Sequence, residues 1–154
     1  MNWLLLLSLI TASITLLFAL VFLAIYWQRP DLTATRCWGV GYLLLVVAMA
    51  TVGFRIGLPE INPHIFSNLL AASAGLACFY IYQGIRCWRE APMYSQGFQI
   101  AIISIMILIA ILGYLDTTLE PVSLFAARLY IGVFAALSAY TLLSGSKPRN
   151  IGRY

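Results

Sequence analysis

Apolar residues run through this chain in five long stretches that polar and helix-breaking residues interrupt. The first covers about 3–27 without one charge, the second about 37–54, the third about 65–85, the fourth about 98–115 and the fifth about 122–143. Crossing a hydrocarbon core ~30 Å thick takes about 20 apolar residues in a helix. In lipid such a stretch must satisfy its own backbone N–H and C=O groups, which a run of this length does as a helix. Pro30, Gly57 with Pro59, Pro63, Pro92 and Pro121 punctuate the intervals. Roughly nine to twelve residues separate the runs on one side and fewer on the other, so neighbours pack antiparallel. The pattern predicts an all-α integral membrane protein: an antiparallel bundle of five transmembrane helices over 1–145, then a short basic tail at 146–154.

Composition points the same way. Hydrophobic residues make up 62% and charged residues 9% of the 154, with a mean hydropathy of +0.93. That is too little charge to cover a water-facing surface, which excludes a soluble enzyme, a nucleic-acid binder and a disordered linker. The net charge of +4 does not restore a nucleic-acid partner, because the cations sit at the ends of apolar runs. Arg29, Arg36, Arg86, Arg89, Lys147, Arg149 and Arg153 all fall on one side if the chain starts outside and crosses five times. By the excess of basic residues in cytoplasmic loops, the amino terminus is external and the carboxyl terminus cytoplasmic. Trp3, Trp27, Trp38 and Trp88 lie at span ends, where indole prefers the headgroup layer. No basic residue precedes the first run and Arg29 follows it, so it reads as a retained helix and not a cleaved leader.

The remaining polarity gathers at the outer rim, in Arg55, Glu60, His64, Asp116, Glu120 and Arg128. Arg128 lies ~10 Å of helix rise past Pro121. A cation at that depth costs something like 1–3 kcal/mol unless it snorkels or pairs, and Asp116 and Glu120 are the nearest acids in sequence. Two readings stand: an anion- or proton-sensitive site, or interfacial turn charges with Arg128 snorkelling outward. His64, the one histidine, sits beside Pro63 at a helix start, which suits capping better than metal or haem ligation. The one lysine, Lys147, lies beyond the last span, where it could not form a Schiff base inside the bundle. Cys37, Cys78 and Cys87 lack a CxxC spacing and read as packing or reduced thiols. No metal and no cofactor is expected.

Ser67, Ala71 and Gly75 recur every four residues in the third run, and Gly132 and Ala136 form a similar stripe in the fifth, continuing the face of Arg128. Small residues at this spacing let helices approach closely. The third helix is therefore expected at the centre of the bundle and the fifth as a neighbour or dimer surface. No span centre is broken by proline, which weighs against a transporter. No hydrolase, zinc-protease or phosphate-loop motif occurs, and nothing reads as a catalyst.

The order of features nonetheless resembles a family. An arginine-bearing inner loop precedes Trp38-Gly-x-Gly41; then come Arg55-Ile-Gly-Leu-Pro59, Ser67-Asn68-Leu-Leu-Ala-Ala and Tyr82-Gln-Gly-Ile-Arg86. Over roughly residues 4 to 145 the chain resembles the amino-terminal multi-pass membrane region of bacterial GGDEF proteins, the diguanylate cyclases. Asn68, the Gly84-x-Arg86 element, and Glu120-Pro121 with the later Arg128 match features of that group. The resemblance implies signal transduction in the bacterial cytoplasmic (inner) membrane, a homodimer, and a cytoplasmic output domain. The full-length relative would be a diguanylate cyclase. No GGDEF signature occurs in this chain, so no cyclase chemistry is assigned to any of its residues. It is expected to be a sensor region cut short, as an amino-terminal fragment or a stand-alone protein.

The sequence thus favours a non-enzymatic membrane sensor or anchor whose partner is the lipid bilayer and which relays a membrane or periplasmic signal to a cytoplasmic output. A small transporter or channel component, and an assembly subunit of a membrane complex, are the alternatives.

Overall fold

The structure, a computed structural model, describes residues 3–58, 60, 62–89, 91–115 and 120–144. These form five α-helices and no strand: α1 Trp3–Gln28, α2 Thr33–Gly57, α3 Pro63–Trp88, α4 Gln96–Leu115 and α5 Glu120–Leu143. All five are long and apolar enough to cross a membrane.

The helices outrun the apolar stretches that announce them. α2 begins at Thr33 instead of Cys37, and α3 continues to Trp88 past Ile85. Hydrophobicity marks the hydrocarbon thickness, whereas a helix continues until its backbone is capped or broken. At the start of α3 both devices are present. Pro63 occupies the first turn, and the Asn62 side-chain carbonyl accepts from the His64 N–H at 3.0 Å. The connections shrink accordingly, to residues 29–32 and 89–95, shorter than the gaps between apolar runs suggested.

The five helices are not a closed ring. α1 touches only α2, α2 touches α1 and α3, and α3, α4 and α5 pack mutually. α3 therefore touches more helices than any other, as its small residues led one to expect. Ser8 lies beside Gly53 and Leu23 beside Gly39, so α1 and α2 run in opposite directions. Gly75 meets Met106 of α4 and Tyr130 of α5, while Asn68 meets Ser123; α3 and α5 thus run parallel. The end with the α2–α3 and α4–α5 connections is called upper here, and the other end lower.

Two glycines set the α2–α3 approach in the lower half. A Cβ at Gly41 would lie 2.9 Å from Ile81 Cγ1 and 3.2 Å from the Ala77 carbonyl oxygen. Gly84 is covered by the Trp38 indole, which also packs on Phe22 at 5.4 Å. Trp38 is thus turned inward, unlike the exposed Trp3, Trp27 and Trp88. The reason is the vacancy that Gly84 leaves for an indole. In the lower half Phe79, Tyr82 and Phe134 form the core, with Tyr94 and Tyr130 against it. α1 and α4 turn long rows of Leu, Ile and Val outward, a surface suited to lipid and not to water.

Candidate functional site

α2 and α5 both pack on α3 but not on each other, and a cleft of about 240 Å³ opens between them. α3 supplies its floor with Ser67, Leu70, Ala71 and Ala74. Arg55 of α2 and Leu124, Arg128 and Ile131 of α5 line its sides. The two arginines of the predicted rim cluster therefore meet across one groove. Arg55 lies in the last turn of α2, where a cation suits the helix dipole. Arg128, eight positions after Glu120, lies ~12 Å of helix rise below the start of α5. Both guanidinium-bearing residues are exposed. Among the described residues the ion pair present is Arg29–Asp31, 3.2 Å apart in the lower α1–α2 connection, and neither Arg55 nor Arg128 has one.

Of the other predicted members, Glu60 and His64 do not line the cleft. Glu60 is exposed in the α2–α3 turn. His64 is half-buried at the start of α3, where its N–H is capped by Asn62 and its carbonyl accepts from Asn68 Nδ2 at 2.9 Å. Asp116 lies outside the described residues, as does the side chain of Glu120, so the expected carboxylate partner of Arg128 falls there too. Lys147, Arg149 and Arg153 are likewise outside them.

The small-residue stripe of α3 divides in two. Gly75 makes the expected close approach, to Met106 and Tyr130. Ser67 and Ala71, expected to draw a helix in, border the open cleft instead. Small side chains leave space, and α2 does not fill it because its upper half turns Gly53 to Ser8 of α1. On α5, a Cβ at Gly132 would meet nothing within 4 Å, and Ala136 is exposed. Neither belongs to this bundle's interior.

Beside the cleft lies a polar contact between three helices. Ser123 Oγ of α5 donates to Asn68 Oδ1 at 3.3 Å, both residues buried, and the Gly113 backbone of α4 closes over the pair. Sequence reading singled out Asn68 but missed Ser123. The signal was available: Ser123, Ala127, Tyr130 and Phe134 recur at helical spacing and form the face of α5 turned toward α3.

A second polar group closes the lower end. Tyr94, in the α3–α4 connection, is held by its backbone: its N–H donates to Gln83 Oε1 at 3.2 Å, and its carbonyl accepts from Gln99 Nε2 at 2.7 Å. The Arg86 guanidinium stacks 3.8 Å from the centre of the Tyr94 ring. Arg89, just past α3, donates to the Leu142 carbonyl of α5 at 2.5 Å. Cys37 of α2 is buried and Cys87 of α3 half-buried, both as free thiols. Among the described residues no three His, Cys, Asp or Glu side chains cluster as metal ligands would.

Comparison with protein families, with curated proteins and with solved structures finds no match to this chain.

Proposed function

We propose that this chain is a non-enzymatic membrane sensor and anchor region in which the α2–α5 cleft receives the signal and α5 conveys it. The observation that carries this reading is the pair Arg55 and Arg128 on the two walls of a cleft that only α3 bridges. An occupant there touches α2 and α5 at once, and its differential affinity for two spacings of those helices biases which one is populated. α5 is suited to carry the change, because it lines the cleft above and is tied to α3 through Arg89 and Leu142 below. The lower end is packed with aromatic rings, which supports a relay in preference to a through-going path.

In this reading the bilayer is the bacterial inner membrane, the upper end faces outward, and the carboxyl end enters the cytoplasm by the distribution of basic residues. The resemblance to diguanylate cyclase sensor regions supplies the expected output, a cytoplasmic signalling domain working as a homodimer. The outward-facing Gly132 and Ala136 offer a face where a second copy could approach closely.

Paired spin labels at Trp27 and Leu143, in a cysteine-free background, test the relay. The expected result is a distance distribution that changes when lipid headgroup charge or pH is varied and stops changing in R55Q/R128Q. A distribution that ignores every condition removes the switching role. A reporter fused after Tyr154 tests orientation, and activity confined to the periplasm would reverse it.

A further inference from the structure

We infer that the α2–α5 cleft binds one anionic phospholipid, its phosphate held between Arg55 and Arg128 and the upper part of one acyl chain lying along the cleft's apolar wall. In naming an occupant, this rests on the reading of the cleft as the bundle's input.

The cleft has the chemistry of an amphiphile's complement. Ser67 and the arginines supply its polar contacts, while Leu70, Leu124 and Ile131 supply an apolar wall. Guanidinium groups present paired N–H donors that match phosphate oxygens. Two cations sharing one cleft, without an ion pair among the described residues, attract an anion more strongly than either does alone. A zwitterionic lipid brings its own ammonium to that site and gains less. The opening is lateral, between two helices that do not touch, so an occupant can enter from the bilayer plane. At ~30 Å³ per water the volume equals about eight waters, room for a phosphate and a short length of chain.

Size alone does not single out this groove. A larger one, about 350 Å³, lies between α1 and α2 beside Leu5, Leu9 and Phe54, and another of about 300 Å³ lies between α3 and α4 beside Ile65 and Tyr114. Neither is lined by a charged side chain. They serve as ordinary lipid-facing grooves within the same molecule, and the arginines make the difference.

Native mass spectrometry of the full chain, released from detergent after exposure to phosphatidylglycerol, phosphatidylcholine or inorganic phosphate, tests the site. One phosphatidylglycerol is expected to be retained about tenfold more strongly than phosphatidylcholine, a clear difference in affinity. R55Q and R128Q each weaken that preference and the double variant removes it. A71L, which keeps both charges and fills the floor, lowers retention too. R55K/R128K keeps the charge, loses the paired donors and retains an intermediate preference. Unchanged helical circular dichroism and melting midpoint identify the variants that remain folded. Equal retention of the two lipids, a preference that survives R55Q/R128Q, or inorganic phosphate displacing the lipid at equal concentration overturns the proposal. Spin-label distances in the same preparations separate the two claims. Selective retention without movement upholds the site and removes the relay, whereas movement without headgroup preference does the reverse.

Discussion

Along one pair of parallel helices, α3 and α5, the upper and lower halves solve opposite problems. Above, Ser67, Ala71 and Ala74 leave space that α2 does not enter, and arginines stand on either side of it. Below, Phe79 and Phe134 meet edge to face at 5.3 Å, Tyr82 and Tyr94 pack alongside, and Arg86 and Arg89 are held by a ring face and a carbonyl. The backbones are continuous, so side-chain volume and the course of α2 make the difference. Where Gly41 and Gly84 bring α2 close, the seam is filled; where α2 turns Gly53 to α1, it is open. A cation in the filled half stacks and bonds, while the two cations of the open half line the cleft without an ion pair among the described residues.

The largest effect that can break this contrast lies in the filled half. Phe79→Ala should cost about 3–5 kcal/mol, because it empties a fully buried site. Leu70→Ala, at the border of the cleft, should lose far less, since that side chain already faces open space. Equal losses in a denaturant titration would mean the two halves are packed alike. Overpacking gives the next effect. Gly84→Val drives carbon into the Trp38 ring and should cost roughly 1–3 kcal/mol, whereas Gly132→Val should leave the melting midpoint of the single chain unchanged. A dimer weakened by Gly132→Val alone would place the partner copy on that face.

Polar substitutions come third. Asn68→Ala removes the amide to which Ser123 donates and should cost about 0.5–1.5 kcal/mol, without changing the headgroup preference of the neighbouring cleft. A change in that preference would join the two features into one site. The smallest effect concerns Asp31, where the hydrogen bond from Arg29 holds the carboxyl below its ordinary 3.8. A carboxylate with a lowered folded value contributes stability above its unfolded value and loses it as the pH falls through the folded one. Asp31 is fully exposed, so its contribution is slight. Carboxyl-resolved titration should find a midpoint below 3.8 in the native chain, returning upward in R29Q.

The helices were legible because hydrophobic length is a local quantity. Each apolar run, taken alone, states how much hydrocarbon it can cross, and the structure only lengthens the ends. The cleft was half legible. Arg55 and Arg128 stood out as cations near apolar runs, but their meeting depends on how α2 and α5 flank α3, which no local pattern records. Ser67 and Ala71 show the ambiguity most plainly, since a small residue invites a neighbour or leaves a gap according to whether a neighbour arrives. Tyr94 was invisible for a different reason: it sits outside every apolar run and is held through its backbone by Gln83 and Gln99.

The pairing of Asn68 with Ser123, 55 residues apart, has a bearing on biogenesis. α1 and α2 can join as soon as both have left the ribosome, because neither needs α4 or α5 to complete its contacts with the other. The Asn68 amide is synthesised 55 residues before its hydroxyl partner. At about 5–20 residues per second that interval lasts roughly 3–10 s. During it the amide Nδ2 can already donate to the His64 carbonyl within its own helix, as it does in the finished fold, so that Oδ1 alone waits for Ser123.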